Sequence, residues 1–285
     1  MRIVREKVVL REALRPARRE GRRLGLVPTM GYLHEGHLSL LRAARDGCDV
    51  VVMSLFVNPT QFTPSEDLET YPRDEARDLD LAAAEGVDLV YVPAVDEVYP
   101  EDFATSIEVA GGLTDILEGA PQQRGPGHFR GVATVVAKLL NTVGPDVVYF
   151  GQKDAQQSIV LKRMVRDLDF PVEIVVLPTV REPDGLAMSS RNAYLSAEER
   201  RRATGLIRGL RAAEAVAESG ETRPEVALEA ARAELERAGI EPEYLEAREA
   251  EGLAPAKSLN GRPVLLAVAA RVGKARLIDN LVIGG

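Results

Sequence analysis

Apolar positions in the first two thirds of the chain fall in short unbroken runs: 24-LGLVP-28, 49-DVVVMSLFVN-58, 88-DLVYVP-93, 146-DVVYFG-151 and 172-VEIVVLP-178. Continuous rather than alternating apolar character suits strands covered on both faces. Between these runs, apolar residues recur at helical spacing in 35-EGHLSLLRAARD-46, 73-RDEARDLDLAAAEG-86, 130-RGVATVVAKLLNTV-143 and 154-DAQQSIVLKRMVRDL-168. Regular alternation of strand and helix predicts an α/β fold, a parallel sheet with helices on both faces. In such sheets ligands bind beyond the carboxyl ends of the strands. Chemistry is therefore expected just after each strand.

The pattern changes near residue 185. The loop 181-REPDGLAMSSRNAYL-195 is polar and rich in turn formers. Two helices are expected next, each opened by a capping box, Ser196 with Glu199 and Thr222 with Glu225. Leu206, Leu210 and Ala213 keep helical spacing within 196–218. The stretches 242-PEYLEAREA-250, 263-PVLLAVAARV-272 and 275-ARLIDNLVI-283 read as antiparallel strands. Two domains are thus predicted, an α/β domain over 1–184 and a smaller α+β domain over 185–285. The chain carries no internal repeat and no low-complexity segment.

Composition narrows the function classes. Hydrophobic content of 45% and charged content of 28% are ordinary for a water-soluble globular protein. The first 23 residues lack the apolar run and cleavage site of a signal peptide. No run approaches the roughly 18 apolar residues of a membrane span. A single cysteine, Cys48, excludes an internal disulfide framework and a multi-cysteine zinc site, and a reducing cytoplasm is expected. The net charge of −8 argues against broad nucleic-acid binding but not against a small anionic substrate. The basic runs 15-RPARREGRR-23 and 199-ERRRA-203 read as solvated helix faces.

Four segments carry candidate chemistry. After the strand 24-LGLVP-28 comes 29-TMGYLHEGHLSLLR-42, with two of the chain's three histidines, His34 and His37, in the first turn of a helix. Free N–H groups and the positive end of the helix dipole favour an anion there. The helix end should also keep the imidazoles neutral N–H donors. Two surface histidines or a zinc site are the alternatives, though zinc would want a third ligand and the only other histidine is His128. After the next strand, 56-FVNPTQF-62 presents the amides Asn58 and Gln61, suited to hydroxyl and carboxylate groups or to plain turn formation. In 151-GQKDAQQ-157, Lys153 offers a point charge for phosphate, Asp154 a helix cap or a ribose contact, and Gln157 a cleft-facing amide. In 187-AMSSRN-192, two hydroxyls and a guanidinium suit a polyphosphate, or simply the approach to the next helix. The turn 125-GPGHFRG-131 could bring His128 and Arg130 to the cleft or only brace a loop. Asp74 and Asp78 are either metal contacts or a solvated helix face.

Taken in order, PTMGYLHEGH, FVNPTQF, GPGHFRGVATVV, YFGQKDAQQ and LAMSSRN resemble the pantoate–β-alanine ligases, within the wider group of nucleotidyl transferases with an H-x-G-H motif. The resemblance covers essentially the whole chain. It implies a Rossmann-like first domain, a C-terminal lid domain that closes over ATP, and a cytoplasmic homodimer. It implies an ATP- and Mg2+-dependent condensation of pantoate with β-alanine through a pantoyl adenylate. By the matched motifs, His37, His34, Lys153 and Arg191 are catalytic. Met30, Gly31, Tyr32, Leu33, His34, Glu35, Gly36 and His37 line ATP. So do Gly151, Gln152, Lys153, Asp154, Val180, Met188, Ser189, Ser190 and Arg191. Gln61 and Gln157 hold pantoate or β-alanine. Apart from the resemblance, the apolar residues Pro28, Met30 and Phe62 would suit the gem-dimethyl group of pantoate. The protein ligands of the metal are not assigned. Another H-x-G-H nucleotidyl transferase or a non-catalytic ATP-binding module remains the alternative.

Overall fold

The computed structural model describes residues 1–62, 68–69 and 71–284. The chain divides into two compact units. Residues 1–151 and 156–178 form the first, and residues 152–155 with 179 onward form the second.

The first unit holds a six-stranded sheet: β1 (Arg2–Val4), β2 (Leu24–Thr29), β3 (Val50–Leu55), β4 (Leu89–Tyr91), β5 (Val147–Gly151) and β6 (Glu173–Leu177), in the order β1-β4-β3-β2-β5-β6. Every pairing is parallel. Its helices are α1 (Lys7–Arg19), α2 (Glu35–Gly47), α3 (Glu75–Ala84), the short α4 (Val95–Val98), α5 (Pro126–Val143) and α6 (Ala155–Asp167). The expected α/β fold is present, and the continuous apolar runs are buried strands: Leu26, Val27, Val52, Met53 and Val148 are at most 1% exposed. Burying each such side chain contributes about 1.5–3 kcal/mol, and Leu33, Leu41 and Ala44 pack in one core cluster with Val27 and Met53. The chain runs from β2 outward through β3 and β4, then returns to place β5 on the other side of β2. That reversal makes a topological switch point at the carboxyl ends of β2 and β5.

Several expected elements differ in detail. β1 and α1 were not legible in the pattern. The third strand stops at Leu55, because Asn58 caps a 3₁₀ turn over Pro59–Gln61. The GPGHFRG stretch is the opening turn of α5 itself, with Pro126 at the first helical position and Gly125 before it at φ 74°. The basic run 15–23 is not simply solvated. Arg18 donates to the carbonyls of Val143 and Gly144, Arg22 donates to Asp49 O, and Arg23 pairs with Glu173.

The second unit contains α7 (Ala197–Ala203), α8 (Gly205–Glu218), α9 (Pro224–Arg237) and the antiparallel sheet β7 (Pro242–Glu249), β8 (Val264–Val272), β9 (Ala275–Ile283). Leu206, Leu210, Ala213, Leu235, Leu266 and Val268 form its core. Ser196 and Glu199 make the expected capping box in both directions, at 3.2 and 2.8 Å. Thr222 and Glu225 do not: α9 starts at Pro224, and Glu221 takes the free N–H groups of Thr222 and Arg223. In the run 199–203, Arg200 pairs with Glu182 and Asp184, and Arg202 donates to Ala238 O and Gly239 O, so two of these arginines are tethers rather than a bare solvated face.

Candidate active site

At the switch point, Thr29 ends β2 with its hydroxyl on Ser54 O at 2.8 Å. The chain then turns through Gly31 at φ 87° and Tyr32 at φ 53°. A Cβ at Gly31 would sit 2.7 Å from Leu55 Cδ1 and 2.9 Å from Asp78 Oδ2, so both conformation and space require glycine. Asp78 holds the turn. Its two oxygens accept the N–H groups of Tyr32 and Leu33, each at 2.7 Å, from a position 1% exposed. Burial pushes the Asp78 carboxyl up, while the Leu33 and Tyr32 amides pull it back. Arg77 grips the same turn, donating to Leu33 O at 3.0 Å and lying 5.6 Å from the Tyr32 ring centroid. The reading of Asp78 as a solvated helix face is therefore wrong. Asp74 caps α3 through the Arg77 N–H at 3.2 Å.

His34 is the N-cap of α2. Its Nδ1 accepts from the Gly36 N–H at 3.2 Å, and His37 Nδ1 accepts from the His34 N–H at 3.3 Å. The two rings lie 4.1 Å apart between centroids. An imidazole nitrogen that accepts a hydrogen bond carries no proton, so each neutral ring bears its N–H at Nε2. The pair thus uses its Nδ1 edges to close the helix end. Glu35 turns its carboxylate to Arg42, so its contribution at the helix start is its backbone. Among the described residues, no three His, Cys, Asp or Glu side chains group as metal ligands.

Gln61 is fixed from several sides. Asn58, 1% exposed, donates from Nδ2 to Gln61 Oε1 at 3.1 Å and to Gly131 O at 3.2 Å. Tyr99 donates to Asn58 Oδ1 at 2.8 Å, which sets the Asn58 amide orientation. His128 donates from Nδ1 to Gln61 O at 2.8 Å, and a Cβ at Gly131 would collide with Thr60 O. The first turn of α5 therefore braces the Gln61 loop through His128, while Arg130 lies near Glu108. Gln61 Nε2 approaches Met30 Sδ at 3.3 Å, joining the second segment to the first. Phe62 packs edge-on to Tyr71. Gln157 is half-buried in the first turn of α6.

In the second unit, Gln152, Lys153 and Asp154 form a 3₁₀ turn, and Lys153 Nζ lies 3.5 Å from Asp154 Oδ1. Val180 and Met188 are joined by a backbone hydrogen bond of 3.0 Å, closing the loop that contains the Arg181–Ala187 bridge. Ser189 caps the next 3₁₀ turn through the Arg191 N–H at 3.3 Å. Thr179 Oγ1 and Asn192 Oδ1 are buried with no partner among the described residues. Orphaned buried acceptors are uncommon and call for a ligand or water.

The family model for pantoate–β-alanine ligase matches residues 2–282. The chain belongs to the pantoate–β-alanine ligase family. It is 53% identical to the pantothenate synthetase of Moorella thermoacetica over 284 residues, 99% of each chain. It is 51% identical to that of Thermotoga neapolitana over the whole of both. The crystal structure of pantothenate synthetase from Thermus thermophilus superposes with a TM-score of 0.92 at 50% identity, covering 99% of each chain. The Francisella tularensis pantoate–β-alanine ligase, crystallised with β,γ-ATP and β-alanine, superposes with a TM-score of 0.82 at 33% identity, over 99% of this chain and 97% of that one. The fold is thus that of a family of ATP-using ligases.

Sequence reasoning missed four supporting residues. Asp78 looked like one more acid on an acidic helix. Tyr99 follows a four-residue helix that no periodicity marks. Asp279 and Asn280 had a legible signal: they are an acid and an amide inside the apolar strand ARLIDNLVI, and they are 3% and 4% exposed.

Proposed function

We propose that this chain joins pantoate to β-alanine in two steps. The pantoate carboxylate oxygen attacks the α-phosphorus of Mg·ATP and the bond to pyrophosphate breaks. The amine of β-alanine then attacks the acyl carbon, the bond to AMP breaks, and the amine gives up a proton to yield the amide. The observation that carries the reading is the reciprocal His34–His37 cap. It fixes two imidazoles at the start of α2, at a switch point, in a chain matched to the ligase family over 2–282.

Pantoate is already ionised near neutral pH, so the first step needs positioning and charge neutralisation rather than a base. His34 and His37 supply donors, and the turn from Met30 to Gly36 supplies backbone N–H groups at a helix N-terminus. Lys153, Ser189, Ser190 and Arg191 supply further donors to phosphate, with Gly151, Gln152, Asp154, Val180 and Met188 as ATP contacts. The orphaned Thr179 and Asn192 oxygens beside Val180 and Arg191 fit a polar ligand there. Magnesium comes with ATP as part of the substrate, since such ions are commonly held through phosphates and water with few protein ligands. When bound, it neutralises phosphate charge. Gln61 and Gln157 take the hydroxyl-bearing pantoate. Among the described residues no helix is long and apolar enough to cross a membrane. The family resemblance also carries the expectation of a cytoplasmic homodimer.

Without β-alanine, the protein should exchange labelled pyrophosphate into ATP only when pantoate is present. Exchange without pantoate, or none under any condition, contradicts the adenylate route. Gln61→Ala and Gln157→Ala should each weaken pantoate use by about 1–3 kcal/mol, the loss of an amide partner. ATP affinity measured by calorimetry should be retained; its loss in both variants would reverse the pocket assignment.

A further inference from the structure

We infer that Asn280 is a positioning residue for Lys153, and that β9 carries a polar clamp for the phosphate-contact loops. The inference rests on the proposed role of Lys153. Strand β9 belongs to an apolar sheet, and a buried acid and amide there need partners. They have specific ones. Asn280 Nδ2 donates to two successive carbonyls, Gln152 O at 3.0 Å and Lys153 O at 2.9 Å. Its Oδ1 accepts from Gln152 Nε2 at 3.1 Å. One amide thus uses both protons and its oxygen on a single 3₁₀ turn, whose middle residue is Lys153.

The neighbour completes the clamp. Asp279 takes a bidentate pair from Arg181 at 2.7 and 2.9 Å, and its Oδ1 also accepts the Asn280 N–H at 2.8 Å. Arg181 further donates to Gly185 O at 3.2 Å, inside the loop that leads to Met188 and Arg191. Such a doubly bonded guanidinium–carboxylate pair is geometrically rigid. Both loops are therefore referred to the same two residues of one strand. A bare Lys153 on a three-residue turn would have wide freedom, whereas pinned carbonyls limit where its stem begins.

The test compares folded Asn280→Ala and Asn280→Asp with Lys153→Ala. In Asn280→Asp a carboxylate faces the two carbonyl oxygens at nearly unchanged size, so the turn must move. Pantoate-dependent pyrophosphate exchange should fall on the order of 10- to 100-fold in either variant, as expected when a reacting group is displaced. Asn280→Ala supplies the result if the charged variant does not fold. On a Lys153→Ala background, Asn280→Ala should cause less than about a twofold further loss, because residues acting as one unit are not additive. A folded Asn280→Ala that exchanges at the wild-type rate, or independent additive losses in the double variant, overturns the inference alone. Lys153→Ala with full exchange instead overturns the role given to Lys153, and this inference with it.

Discussion

His37→Ala is expected to slow formation of the acyl adenylate by about 10²–10³-fold, or about 2.7–4 kcal/mol, the usual loss when one preorganised donor to a developing charge is removed. Single-turnover mixing of protein, Mg·ATP and pantoate reads this directly. A second, smaller effect accompanies it. His37 Nδ1 accepts the His34 N–H, so truncation also opens one side of the helix cap, worth about 0.5–2 kcal/mol of stability. His37→Gln separates the two contributions. Glutamine at the third helical position can restore the reciprocal cap, but it does not place an imidazole Nε2–H. Stability should recover and the rate should stay low. Recovery of rate along with stability would make His37 a cap and nothing more. His34→Ala should lose more in ATP affinity than in the chemical step, because its Nδ1 closes the helix end on the Gly36 N–H.

Asp78→Ala is expected to destabilise the first unit by about 2–4 kcal/mol, since it strands the part-buried N–H of Tyr32 and the buried N–H of Leu33. Adenylation should fall with it, because that turn leads directly into the His34 cap. Asp78→Asn keeps the shape but sets an NH2 against one of the amides, so an intermediate loss of about 1–3 kcal/mol is expected. Denaturant midpoints and exchange rates measured on the same samples check both. Burial raises the Asp78 carboxyl, so the folded state holds its proton more tightly than the unfolded chain. Stability from this group therefore falls as pH rises from its ordinary value of 3.8 through the raised one, and the wild type should gain on Asp78→Asn as pH is lowered. An Asp78→Asn protein with wild-type stability and activity would remove Asp78 from the account.

What the sequence made legible follows from how each feature is encoded. Buried parallel strands write themselves as runs such as VVVMSL, and Ser196-x-x-Glu199 is a local rule, so both could be read without the fold. Thr222-x-x-Glu225 obeys the same rule yet fails, because Glu221 competes for the free N–H groups and Pro224 opens the helix. The positions of His34 and His37 at a helix start were legible. Their mutual capping was not, since it depends on ring orientation. The supports of the site come from far along the chain: Asp78 lies 46 residues from Tyr32, Tyr99 lies 41 from Asn58, and Asn280 lies 127 from Lys153. No local pattern encodes such pairs. Only the odd polar step inside β9 hinted at one of them.

The most direct measurement is an incubation of the purified protein with ATP, magnesium, pantoate and β-alanine, followed by identification of every product. The account predicts pantothenate and AMP in equal amounts, with pyrophosphate, and no AMP when pantoate is withheld. A product that retains the nucleotide would make the chain an H-x-G-H transferase of another kind. ATP bound but unconsumed would make it a binding module, and either result would contradict the central claim.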